Sequence, residues 1–172
     1  MFAVDRCELP DDALLRTYTN AGAYTDCYTT TVSDNVSLSD FIRAFYTTMP
    51  FRMERKILAW ALSKPSTDEQ ADLLAEARTD EFAAWSVEGR EANQLLMSDF
   101  KGRTRSWLRV DPEGHDHDSP TRLFFGSAVV PISDGETGEA RMGATFHALM
   151  PFHRLYSQIL LSSARDRLSA KR

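Results

Sequence analysis

The stretch Asp99-Phe100-Lys101-Gly102-Arg103-Thr104-Arg105-Ser106-Trp107-Leu108-Arg109 concentrates more potential chemistry than any other part of the chain. Side chains along a strand alternate between faces. Arg103, Arg105, Trp107 and Arg109 therefore share one face, and Thr104, Ser106, Leu108 and Val110 the other. A guanidinium fork grips a carboxylate or phosphate through parallel hydrogen bonds, and an indole beside it offers a stacking surface. Arg105 and Trp107 lie mid-strand and are the ligand-binding candidates, whereas Arg103 and Arg109 fall near the strand ends. The competing reading is a solvated face on which the arginines stack on Trp107 and pair with Asp99 or Glu88.

Two further residues are candidate acids or bases. Asp26 is flanked on its own strand face by Tyr24 and Tyr28, and inside an apolar cavity its pKa would rise. A surface position, or a pair with a hairpin arginine, is the plainer alternative. His147 and His153 fall in the last apolar segment. His153 follows Pro151-Phe152 at the expected start of a helix, where the dipole disfavours added positive charge. A neutral His153 can act as a base toward a nearby substrate, and Tyr156, one turn on, shares its side of the helix. The alternative is a buried histidine bonded to the backbone.

His115-Asp116-His117-Asp118 has the residue types of a metal site, but a specific site needs three or four rigidly held ligands. His115 and His117 sit in a Gly- and Pro-flanked loop, so solvation is expected, with weak adventitious Zn²⁺ or Ni²⁺ binding as the alternative. Gly-rich phosphate loops, nucleophile elbows, Cys-X-X-Cys pairs and zincin helices are absent, and no cofactor is expected. Twenty Lys+Arg against 25 Asp+Glu leave a net charge of −5, which argues against nucleic acid or an anionic membrane surface as partner.

These residues need elements to position them. Tyr24–Val32 is rich in β-branched and aromatic types and reads as a strand. Ser37-Leu38-Ser39-Asp40 supplies helix-start chemistry for a run carrying Phe41, Ile42, Phe45 and Tyr46. Pro50 interrupts, and Phe51 to Leu62 forms a second amphipathic run. Thr67 and Gln70 have capping-box spacing for a third helix through Ala77. Strands are expected over 82–88, 94–100, 103–110 and 122–131, with turns at Gly89-Arg90 and Lys101-Gly102. An acidic, Gly-bearing turn falls at 133–139, and a long helix is expected from about Pro151.

At 172 residues and 42% hydrophobic content, the chain is long enough for one domain with its own core. The expected organisation is a polar N-terminal extension, 1–22, and a core over 24–168. Cys7 and Cys27 have no metal or redox spacing, so free thiols and a reducing, cytoplasmic setting are expected. The acidic N-terminus and the short apolar runs match neither a secretory signal nor a membrane span.

The element order is α+β, with helices on one face of an antiparallel sheet. It resembles the helix-grip fold of the START and birch-pollen-allergen (SRPBCC) superfamily, in which an antiparallel sheet grips a long C-terminal helix over a cavity. The residues FYTTMPFRMERKILAWALSKPSTDEQADLLAEARTDEFAAWSVEGR, QLLMSDFKGRTRSWLRV, TRLFFGSAVVPI and FHALMPFHRLYSQILLSSARDRL resemble a bacterial family of domains of unknown function. Its members occur alone or fused to short-chain-dehydrogenase-like proteins. The resemblance spans roughly 24–168 and implies a curved sheet, two or three helices after the first strand, and a sheet–helix cavity. It transfers no catalytic residue.

The leading expectation is a protein that binds a small, largely apolar molecule in that cavity, with Trp85, Tyr28, Tyr156 and Phe125 as walls. Arg105, Asp26 or His153 would orient one polar group. The second is a cyclase, dehydratase or isomerase using His153 or Asp26 as acid/base. The third is an interaction module, or a homodimer, whose cavity its own side chains fill.

Overall fold

In the computed structural model, residues 4–53, 66–114, 119–133, 140–141 and 144–170 are described. The strands are β1 (Asp5–Arg6), β2 (Tyr24–Val32), β3 (Glu81–Phe82), β4 (Trp85–Arg90), β5 (Gln94–Asp99), β6 (Thr104–Pro112), β7 (Thr121–Val129), β8 (Ile132–Ser133) and β9 (Ala140–Arg141). The helices are α1 (Arg16–Asn20), α2 (Leu38–Tyr46), α3 (Asp68–Ala75) and α4 (Ala144–Ser169). Seven strands pair antiparallel in the order β1-β2-β7-β6-β5-β4-β3, and β8 pairs with β9 separately. The long strand β2 is followed by α2 and α3, and α4 packs on α2, β2 and β7, the helix-grip arrangement.

Local sequence accounts for much of this. Ser37 caps α2 by accepting the Asp40 N–H at 3.1 Å. Thr67 and Gln70 close a reciprocal capping box on α3. Gly102 turns the chain between β5 and β6 at φ +65°, a left-handed conformation that costs glycine nothing. Ala83 takes a similar φ of +55° without that freedom. It divides the stretch expected as one strand, 82–88, into the hairpin β3–β4. Gly89 and Arg90 remain inside β4, where a register shift between Val87 and Gly89 marks a bulge instead of the expected turn.

The largest departures are at the two ends. Within the N-terminal extension, residues 4–22 join the fold: β1 adds an edge strand to β2, and Ala13, Leu15, Leu9 and Tyr18 cover the outer face of the sheet. They build a second core with Cys27, Leu96, Trp107, Phe124 and Ala128. Gly126 makes this fit possible. A Cβ there would lie 2.8 Å from Leu15 Cδ2 and 3.0 Å from both the Asp26 carbonyl and Trp107 Cε3. At the other end, α4 does not start at Pro151 but runs through it from Ala144. A proline inside a helix loses one backbone bond, and packing against α2 and the sheet offsets that loss. The second amphipathic run is helical over 49–53; its remainder up to Leu62 lies outside the described residues.

The main core lies between the inner face and the helices. Phe41, Ile42, Phe45 and Tyr46 from α2 meet Tyr28, Leu95, Leu108, Phe125, Leu161 and Ala164. Phe45 and Phe125 rings lie 4.8 Å apart, and so do those of Tyr46 and Phe51. No helix among the described residues is long and apolar enough to cross a membrane.

Candidate functional site

Register and pleat decide which side chains meet under α4. Asp26 on β2 pairs directly with Ser127 on β7, and Ser127 with Ser106 on β6. A polar row thus crosses three neighbouring strands on the inner face. Above it, α4 presents His153, Tyr156, Ser157 and Leu160, the spacing of one helical face.

Between these layers lies a cavity of about 230 Å³. Its apolar lining comes from Phe45, Phe51, Trp85, Phe125, Tyr156 and Leu160, and its polar lining from Thr104, Ser106, Ser127, His153 and Ser157. The Asp26 side chain is fully buried behind this wall, while His153 keeps 29% of its side chain exposed.

Ser127 joins the two. Its Oγ donates to Asp26 Oδ1 at 2.6 Å and lies 2.8 Å from His153 Nε2. A hydroxyl has a single proton, which here goes to the carboxylate, so Nε2–H must be the donor to Ser127. In the neutral ring the lone pair then sits on Nδ1. Asp26 Oδ2 lies 3.4 Å from Nε2 and accepts from the Tyr24 hydroxyl at 3.3 Å. Burial raises the Asp26 pKa, but hydrogen bonds from His153 and Ser127 and the field of His153 outweigh it. The carboxyl is held below its ordinary value, opposite to the rise expected from an apolar cavity. Burial raises the phenol of Tyr24 as well, and pushes that of Tyr28 up to about 12.

This arrangement is not a hydrolytic triad. There the carboxylate bonds Nδ1 and the serine gives its proton toward Nε2. Here carboxylate and serine approach the same nitrogen, and Ser127 gives its proton to Asp26. The serine oxygen is therefore a link, and the exposed part of the histidine is the group a ligand can meet. His153 lies well inside α4 and not at its start, where it was expected.

The other candidates separate by face. Trp85, Tyr156 and Phe125 line the cavity. Tyr28 is on the same face but only 1% exposed and packed in the main core. Trp107 is the clearest correction: its indole is fully buried on the outer face and donates to Gln94 Oε1 at 2.9 Å. Arg105 borders the cavity, yet its guanidinium serves the outer face. It donates to the Tyr18 hydroxyl at 2.7 Å, pairs with Glu88 at 2.6 Å and lies over the Tyr18 ring. Arg109 is held by Asp12 and Asp111. Asp99 accepts from the backbone N–H groups of Arg103 and Thr104, capping the hairpin turn. His115 and His117 lie outside the described residues, as does the His147 side chain; no metal-binding cluster occurs among the described residues.

Sequence reasoning missed Ser127 and Ser157. The signal for Ser127 was its place in RLFFGSAVV, a lone hydroxyl on the face shared with Phe125.

No family model matches the chain, and no curated protein does. Among solved structures, CalU16 from Micromonospora echinospora aligns over 98% of this chain and 92% of its own, at 16% identity and a TM-score of 0.33.

Proposed function

We propose that the chain binds a small, largely apolar molecule in the cavity between the sheet and α4, with one polar group of that molecule meeting His153. The observation that carries this reading is a space of about 230 Å³ in which aromatic walls surround a histidine tied through Ser127 to a buried carboxylate. Ligand cavities commonly run to about 300–1,000 Å³, so the occupant is about one ring system with short substituents. Burying it against Phe45, Trp85, Phe125 and Tyr156 supplies affinity, roughly 25 cal/mol for each Å² of apolar surface. Orientation comes from His153, which can accept at Nδ1 when neutral. The open space also counts against an interaction module with a filled cavity.

Native mass spectrometry of the full chain purified from its own host, followed by denaturing extraction, tests this reading. A stoichiometric small molecule, absent from a Ser157→Leu variant whose added carbons enter the cavity, is the expected result. Retention of that molecule by the variant would place it elsewhere and end the proposal. The same spectra read whether two copies associate.

A second reading, acid–base catalysis of the cyclase, dehydratase or isomerase kind, draws on the Asp26–Ser127–His153 chain. The partly exposed ring of His153, held in place through Ser127, borders the cavity where a general base would have to stand. Conversion of the extracted molecule by the native chain, abolished in His153→Gln while binding persists, is what catalysis requires. Binding without conversion leaves the carrier role alone.

A further inference from the structure

On the outer face, away from the cavity, the chain brings together its only cysteines. Cys7 follows directly on β1, and the ladder that pairs Asp5 with Thr29 and Arg6 with Tyr28 places it opposite Cys27. The Cys7 N–H donates to the Cys27 carbonyl at 3.0 Å, and the two Sγ atoms lie 3.1 Å apart. Residues directly opposite in an antiparallel pair have Cα atoms about 4.5–5.5 Å apart. That falls inside the about 4.4–6.8 Å that disulfides span. The backbone therefore already holds the pair at bridging distance, although the cysteines are 20 residues apart in sequence.

The two thiols differ in access. Cys27 is buried in the outer core, whereas Cys7 is half-buried. Both line an open pocket of about 290 Å³, with Arg6 and Arg16 as basic and Glu8 and Asp26 as acidic neighbours. The Cys27 S–H can donate to a Cys7 thiolate, which pulls the Cys7 thiol below its ordinary value; burial opposes this, and the charge of Arg122 adds to it. The Cys27 thiol is pushed up by the same partner and by burial. One thiol is placed to attack first and the other to follow.

We propose that Cys7 and Cys27 form a redox-active dithiol that a low-molecular-weight disulfide, entering the outer-face pocket, converts to a cross-strand disulfide. Cys7 Sγ, as thiolate, attacks one sulfur of the reagent, forming a mixed disulfide and releasing the first reagent thiolate. Cys27 then loses its proton and attacks Cys7 Sγ, forming the Cys7–Cys27 bond and expelling the second thiolate. The protein gives up two electrons and two protons in all, and one reagent disulfide becomes two thiols. The new bond closes a loop through residues 8–26 and ties the N-terminal segment to the sheet.

The full-length chain is incubated with oxidised glutathione and followed by intact mass and thiol titration. Both thiols are expected to disappear together, with a mass loss of two hydrogens and no retained glutathione. Dithiothreitol should restore them. Cys27→Ala should instead stop at a stable Cys7 adduct, and Cys7→Ser should leave Cys27 unreactive in the folded chain. Persistence of a glutathione adduct in the native sequence, loss of one thiol only, or no reaction would each overturn the proposal. Cys7→Ser changes a half-buried side chain, so its readout stands even if Cys27→Ala does not fold.

Discussion

The two faces of β6 both carry polar side chains and put them to opposite uses. On the outer face, every conspicuous group has an internal partner: Trp107 with Gln94, Arg105 with Tyr18 and Glu88, Arg109 with Asp12 and Asp111. The N-terminal segment closes over them and buries the indole completely. On the inner face, Thr104 and Ser106 border open space, and the buried charge, Asp26, reaches it only through Ser127 and His153. Ligand-binding residue types by themselves do not mark a ligand site. An arginine already bonded and ion-paired within the fold has less to offer a ligand than a serine beside a void.

Breaking the outer face should cost the most. Trp107→Ala is expected to lower stability by about 3–5 kcal/mol, read by urea unfolding, with the affinity of the remaining folded chain for a cavity ligand unchanged. A weakened affinity at unchanged fold would show that the faces are not separate.

Ser127→Ala probes the inner face. It removes the donor to Asp26 and leaves a buried carboxylate short of one partner, at about 1–3 kcal/mol. Unlike Trp107→Ala, it should also weaken ligand binding, because it frees His153. Equal binding in both variants would erase the functional difference between the faces.

The third prediction is a pH dependence. The carboxyl of Asp26 sits below its ordinary value in the folded chain, since bonds from His153 and Ser127 outweigh burial. Its stabilisation is present above the unfolded value of about 3.9 and is lost as pH falls through the lower folded value. The stability gap between the chain and Asp26→Asn should stay flat through neutral pH and close in acid. A gap that widens on acidification would mean that burial wins.

Ser157→Leu should have the smallest effect on stability, no more than about 1 kcal/mol, because its carbons enter space that already exists. Loss of ligand with an unchanged unfolding midpoint would sharpen the contrast with Trp107→Ala.

Local signals were legible where they are decided within a few residues. The alternation of Tyr24–Val32, the caps at Ser37 and Thr67, and the Lys101-Gly102 turn all appear as the residue types require. Hairpin alternation likewise sorted Arg103, Arg105, Trp107 and Arg109 from Thr104, Ser106 and Leu108. It could not say which set faces α4, because both contain large and polar members. Asp26 and His153 stood out separately; their shared partner did not, since a serine in an apolar strand carries no mark of its neighbour 101 residues away.

The α+β class, the period-two sorting of the long strands and the capped starts of α2 and α3 were legible in the residues alone, because these depend on neighbours within a turn or a pleat. Tertiary structure alone decided which face of β6 is inner, that residues 4–22 would cover the other, and that α4 would continue through Pro151. Those outcomes depend on burying both faces of one sheet at once. The N-terminal segment fits against Gly126 and Trp107 on one side, and α4 against Asp26 and Ser127 on the other. Neither choice can be read from the strand alone, because the free energy that makes it belongs to partners distant in the chain.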